Sequence, residues 1–343
     1  MPIASLLRSA IQKNASDIHL SVGHVPTFRV DGELVATNDR VLTTSNIESF
    51  AKELLGARRW VEFQKDWEAD FGFEDQDRRF RVNVHWERAS IAVAIRVIRK
   101  DVPTYEEIGL PESGRELAQK RNGLVLVTGP SGTGKSTTLA AMIGYLNTTT
   151  ATHILTLEDP IEFVFPIEKG IVKQREVGSD THSFAEGLRH ALRQDPDIIM
   201  VGEMRDPETI SSALTLAETG HLVLSTLHTN SAAETIHRIV DSFSEHQQAQ
   251  VRAQLALSLR GIIAQTLLPS EKGGRVAVHE IMINTPAIAN LIRENKVEQI
   301  TSVLQTGRKD GMQTMEQALD EMVKQKVITA ETASPYYPTR LRK

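Results

Sequence analysis

Apolar residues at the start of the chain, Ile3, Leu6, Leu7, Ala10 and Ile11, recur at helical spacing and predict a short amphipathic helix ending near Asn14. The period then shortens to two. Ile18 and Leu20 alternate with polar neighbours, and residues 27–30 and 33–35 flank Asp31-Gly32, a dipeptide suited to a hairpin turn with positive φ. Ser45 is a candidate cap for a helix running to Leu55, after which 69–74, 79–86 and 91–98 alternate again. Residues 1–100 therefore read as an α+β domain on an antiparallel sheet. Residues 101–111, punctuated by Pro103, Gly109 and Pro111, show no apolar face and read as a linker.

From Leu124 onward the texture changes to short continuous apolar runs alternating with helical patterns, which predicts a parallel sheet covered on both faces. The strand candidates are 124–128, 153–157, 198–201 and 222–225. Beyond Pro269 the pattern is helical apart from 275–283, and the chain finishes in Pro335-Tyr-Tyr-Pro338 and a basic tail expected to be mobile. The expected division is thus 1–100, a linker at 101–111, an α/β domain at 112–270 and a mostly helical region at 271–343.

Composition narrows the function classes. A chain of 343 residues, 40% of them hydrophobic, has material for two or three cores. The absence of cysteine removes disulfides, thiol nucleophiles and thiolate metal sites. No apolar run approaches the ~18 residues of a membrane span, and Lys13 and Asp17 interrupt any signal-peptide pattern, so a cytoplasmic location is expected. A net charge of −5 provides no field for nucleic acid, and no nucleic-acid partner is expected.

Candidate chemistry begins at Gly129-Pro-Ser131-Gly132-Thr133-Gly134-Lys135-Ser136-Thr137, a match to G-x-x-x-x-G-K-[ST]. In such a loop the backbone N–H groups wrap phosphates, the lysine reaches the β/γ oxygens and the hydroxyl of Ser136 ligates Mg²⁺. An apolar strand runs in and a helix predicted over 137–146 runs out, which places the phosphates at a helix N-terminus. Glu158-Asp159-Pro160 then leaves the end of a strand, where one acid can polarise a water or hold a metal's water shell; an acidic pair before proline also fits a helix cap. A second apolar strand, 197–201, ends in Gly202-Glu203, whose longer side chain can reach Mg²⁺ or its water in place of the usual aspartate. His221 and His228 bracket a fourth strand; either could hydrogen-bond a γ-phosphate, and either could be a surface residue.

These four segments, in this order, resemble the Walker A, Asp box, Walker B and His box of the secretion ATPase superfamily. Five further stretches, 15–20, 79–83, 174–177, 201–206 and 311–315, resemble its pilus retraction branch, and the likeness runs from residue 3 to about 330. The resemblance implies an N-terminal PAS-like α+β domain, a RecA-like P-loop ATPase core in the α/β class with a helical C-terminal region, a homohexameric ring and ATP with Mg²⁺ as cofactors. It also implies partners at the pilus base and in an inner-membrane platform protein, through which alone the chain would reach the membrane's cytoplasmic face. Carried over by position, Ser131 to Thr137 bind phosphate, Ser136 and Glu203 serve Mg²⁺, and Glu158, Glu203 and His228 are catalytic. His221 binds nucleotide, and Arg81 and Arg96 enter a neighbouring subunit's site. Which of Glu158 and Glu203 is the general base stays open. The segment 287–294 resembles a motif tied to retraction but has Ala289 where an arginine is expected.

Three other readings remain. An assembly or secretion motor of the same superfamily usually carries an extra N-terminal domain and a tetracysteine zinc element; with no cysteine, such a zinc element is not expected here. An accessory ring subunit would turn over little ATP. A RecA-like DNA motor would need a basic domain.

Overall fold

The computed structural model describes residues 2–75, 78–98 and 101–337. Two compact units divide them, one drawn from Met1–Asp101 with Pro160–Val164 and the other from Val102–Asp159 with Phe165–Lys343.

In the first unit, helix α1 (Ile3–Gln12) buries Ile3, Leu6, Leu7 and Ala10 on the face that their spacing predicts. Strands β1 (Asp17–Leu20), β2 (Thr27–Val30) and β3 (Glu33–Ala36) follow, with Asp31 at φ 49° and Gly32 at φ 88° closing the expected hairpin. Helix α2 (Thr44–Asp66) is longer than expected and is capped by Thr43, not Ser45: Thr43 and Asn46 form a reciprocal capping box. Gly56, at φ 65° and ψ 177°, breaks this helix, and Phe63 beyond the break returns to the core. Strands β4 (Glu68–Asp75), β5 (Arg78–Glu87) and β6 (Ser90–Val97) complete a six-stranded antiparallel sheet of order β3-β2-β1-β6-β5-β4. Phe80, Val82 and Val84 of β5 face the core with Ile95 of β6, so Arg81 and Arg96, paired across the strands, lie on the other face.

The second unit opens on residues expected to be a bare linker. Tyr105 and Leu110 are buried there against Leu117 of helix α3 (Glu112–Ala118), so the stretch is anchored from its middle onward. Burial raises the Tyr105 phenol, with Tyr145 adding to the effect. The sheet then takes β7 (Gly123–Thr128), followed by α4 (Lys135–Thr149), β8 (His153–Glu158), β9 (Ile171–Glu176), α5 (Phe184–Ala191), β10 (Ile198–Val201), α6 (Pro207–Glu218) and β11 (Leu222–Leu227). After α7 (Ala232–Asp241) and α8 (Glu245–Ser258) come β12 (Leu259–Pro269) and β13 (Arg275–Ile283), then α9 (Pro286–Arg293), α10 (Ile300–Thr306), α11 (Met315–Lys324) and α12 (Ala330–Ala333). The order is β13-β12-β7-β11-β10-β8-β9, parallel throughout except for the β12–β13 pair. Buried side chains cover both faces, with Leu126, Leu157 and Val201 on one and Val125, Val127 and Leu224 on the other.

Beyond the four expected strands the sheet holds three more, β9, β12 and β13, the last falling on the stretch 275–283 read as non-helical. A boundary at residue 270 also falls inside the β12–β13 hairpin, which pairs from Gly261–Ile283 to Pro269–Arg275, so the sheet continues past it. The expected mobile tail, from Pro338 on, lies outside the described residues.

Candidate nucleotide site

The C-terminal ends of four strands, β7, β8, β10 and β11, line up along one edge, with β12 running past it, because the parallel register sets Thr128 beside Leu227 and Ala264, and Val201 beside Ser225 and Leu157. Everything that leaves these strands is therefore delivered to the same edge.

The loop 129–134 follows β7. Gly129 adopts φ 146°, and a Cβ there would lie 2.3 Å from the Gln265 carbonyl oxygen, so only glycine fits. Gly134 adopts φ 88° immediately before α4, turning the chain so that the helix's first N–H groups face the loop. Lys135 is 8% exposed, and its ammonium donates to the Gly129 carbonyl at 2.8 Å and the Pro130 carbonyl at 2.9 Å. The ammonium thus lies inside the curl of the loop, where a phosphate oxygen could replace those carbonyls as its acceptor. Ser136 and Thr137 stand half-buried in the first helical turn, and Ser131 and Gly132 are exposed at the loop's tip. Positive helix end, ammonium and glycine curl together fit a polyphosphate.

A contact chain crosses the edge from this lysine. The Lys135 Nζ lies 3.5 Å from His228 Nδ1, and His228 Nε2 lies 3.2 Å from Glu203 Oε2. With an ammonium as donor, Nδ1 accepts and the Nε2–H donates to the carboxylate, so one neutral imidazole links base and acid. Arg205 Nε also donates to Glu203, at 2.6 Å. Glu158, at the end of β8, is 7% exposed and accepts from Thr156 Oγ1 at 2.7 Å and Gln174 Nε2 at 3.0 Å. The edge therefore presents two carboxylates held by neighbours.

His221 is not brought here. It precedes β11, its carbonyl accepts from the Gly123 N–H at the opposite end of β7, and its Nδ1 lies 3.1 Å from the Leu216 carbonyl oxygen. The two histidines bracket one strand, and six residues of strand at ~3.3 Å each separate them. Spacing alone did not separate them, but the expected parallel sheet did, since strand C-terminal ends face the loop. Arg81 and Arg96 belong to the first unit, where Arg81 pairs with Asp70 at 2.5 Å and Arg96 with Asp17 at 2.9 Å.

Sequence reasoning missed Gln265. This residue of β12, 2% exposed, donates from Nε2 to the Thr133 carbonyl at 2.7 Å and accepts from Thr138 Oγ1 at 2.8 Å, clamping the loop to its helix from both sides of Lys135. A glutamine inside an apolar strand run, 259–269, was the available signal, since a buried amide needs partners.

The type II/IV secretion system protein family matches residues 2–271. The type IV pilus retraction ATPase PilT of Pseudomonas aeruginosa is 50% identical over 334 residues, covering 97% of each chain. A twitching motility protein of Neisseria gonorrhoeae is 48% identical, over 96% of this chain and 89% of its own. Among solved structures, the pilus retraction motor PilT with bound ADP superposes with a TM-score of 0.92 at 48% identity, covering 98% of this chain and 97% of that one. With its loop, its ordered strand ends and its matches from end to end, the chain belongs to the type II/IV secretion system protein family.

Proposed function

We propose that this chain is an ATP-hydrolysing motor of type IV pilus retraction, acting as a ring of six copies. The reading is carried by identity of half its residues to a retraction ATPase along nearly the full length of both chains. Ser131 to Thr137 bind the phosphates, and Ser136 and Glu203 would hold Mg²⁺, which when bound neutralises charge on the phosphate oxygens. Lys135 exchanges its two loop carbonyls for phosphate oxygens. Glu158 and Glu203 divide between them the orientation of the attacking water and the support of the metal. His228, touching both Lys135 and Glu203, senses whether the lysine is engaged.

Arg81 and Arg96 complete the site of a neighbouring copy. The partners are the pilus base and an inner-membrane platform protein, and the ring works on the membrane's cytoplasmic face through them. Among the described residues no helix is long and apolar enough to cross a membrane.

A null strain tests the reading together with steady-state hydrolysis by the purified chain. Retained surface pili with lost twitching are expected. Bald cells would reassign the motor to assembly, and absence of turnover would make it an accessory subunit.

A further inference from the structure

One carboxylate in the second unit lies away from the phosphate loop yet is tied to two helices. Glu280, midway along β13, accepts from the Ala232 N–H at 2.8 Å, and the Met315 N–H lies near enough to help hold its carboxyl ionised. These are the first residues of α7 and α11. The first N–H groups of a helix have no acceptor within it and carry partial positive charge, so a carboxylate suits either end. Both helices already have caps of their own, Ser231 accepting from the Glu234 N–H and Thr314 from the Gln317 N–H. Glu280 therefore adds something that neither cap provides, a link from one helix start to the other. The carboxyl is held there against desolvation: burial raises its pKa, the two N–H groups lower it and nearby Glu316 raises it.

Each side of the link leads somewhere. Four residues before Ala232 is His228, and the turn between them is braced. The Thr229 and Thr235 hydroxyls lie 2.7 Å apart, the Asn230 N–H donates to Glu234 at 2.8 Å, and Thr235 Oγ1 donates to the Ser231 carbonyl at 2.7 Å. A shift of the α7 start therefore moves the imidazole that touches Lys135 and Glu203. On the other side, the Ile281–Gln313 bridge and the Gln313 side chain, donating to the His279 carbonyl at 2.8 Å, tie the approach to α11 to β13.

We propose that Glu280 is a positioning residue that couples the start of α11 to the turn carrying His228, so that the C-terminal helices set how the imidazole reaches across the site. The inference rests on the ATPase reading only for its kinetic arm.

Amide deuterium exchange on the full-length chain is the primary test. In Glu280→Ala, exchange at 228–235 and at 314–317 should rise together at least fivefold, while Val278→Ala, a truncation in the same strand at a fully buried position, should leave 228–235 unchanged relative to its own global stability. In the kinetic arm, Glu280→Ala should lower kcat about tenfold with the ATP KM within twofold, and should have no further effect in a His228→Ala background. Unchanged exchange at 228–235, an equal rise in Val278→Ala, or losses that multiply in the double variant would each overturn the proposal. Should Glu280→Ala fail to fold, Glu280→Gln, of the same reach with one acceptor oxygen, is judged by the same criteria. If the wild-type chain shows no turnover, the motor reading falls and the exchange arm alone decides the coupling.

Discussion

His228 touches both the lysine of the loop and the carboxylate of the neighbouring strand, so the site's balance rests on single side chains. Glu203→Gln keeps an acceptor for His228 but removes the charge. ATP binding should survive within a few-fold while kcat falls at least ~100-fold, measured by nucleotide titration beside steady-state hydrolysis. Near-normal turnover would remove Glu203 from the mechanism. Gln265→Ala removes two hydrogen bonds that hold the loop from either side of Lys135. With each bond worth about 1 kcal/mol, ATP affinity should weaken roughly 5- to 30-fold with a smaller change in kcat; an unaltered affinity would show that the loop holds its curl unaided. His279 offers a pH test. Burial pushes its imidazole down from 6.5 to about 4, and its Nε2 has no hydrogen-bond partner among the described residues. The unfolded chain therefore binds the extra proton between those values, and stability falls as pH drops through that window. A His279→Gln variant should lose up to one proton's slope from a plot of unfolding free energy against pH over that range. Lys135, Glu203 and Glu158 were legible because motif and strand ends announce them, whereas Gln265 was not, since its two partners are more than 120 residues away along the chain.

In helix α9, packing and any coupling to the pilus can be tested apart on neighbouring positions. Ile288, Ala289 and Ile292 are buried, Leu291 is half-buried and Arg293 is exposed. Ala289, where the resemblance leads one to expect an arginine, thus faces the core in this chain. Ile292→Ala should cost about 2–5 kcal/mol and lower the melting temperature and the thermal range of ATPase activity together. A helix that transmits movement to the pilus predicts a different result for Leu291→Ala, lost twitching with ATPase and melting temperature close to wild type; parallel loss of all three would reduce it to packing. Strands β7, β8, β10 and β11 were readable as continuous apolar runs. Strand β9, Ile171–Glu176, was hidden because an edge strand with one wet face carries Lys173, Gln174 and Arg175 in its middle. Strand β12 was hidden because an apolar run after a helix has no period of its own to separate strand from helix.

For the assembled ring, the proposal that Arg81 and Arg96 complete a neighbour's site predicts complementation. Lys135→Ala chains bring the arginines without a working loop, and Arg81→Ala/Arg96→Ala chains bring the reverse. Mixed rings should regain ATPase activity that neither has alone, and exchange of subunits without recovery would sink the shared site. The arginines' own pairs with Asp17 and Asp70 are no obstacle, since exposed ion pairs are worth only about 0–1 kcal/mol. What could be read from residue order alone was local: the helical face of Ile3 to Ala10, the Asp31-Gly32 turn, the glycine curl around Lys135 and the acids that end two apolar strands. Each depends on backbone conformation or burial period within a few residues. The parallel direction was already expected from the apolar runs, and with it His228, at a strand's C-terminal end, falls on the phosphate edge and His221 on the far one. Strand order and register were settled only when the sheet formed: they brought Gln174 to Glu158 and Gln265 to the loop, and set Glu280 under the start of α7. Those pairings join groups remote in sequence, and a period of two or 3.6 records which face a residue takes without recording which strand lies beside it.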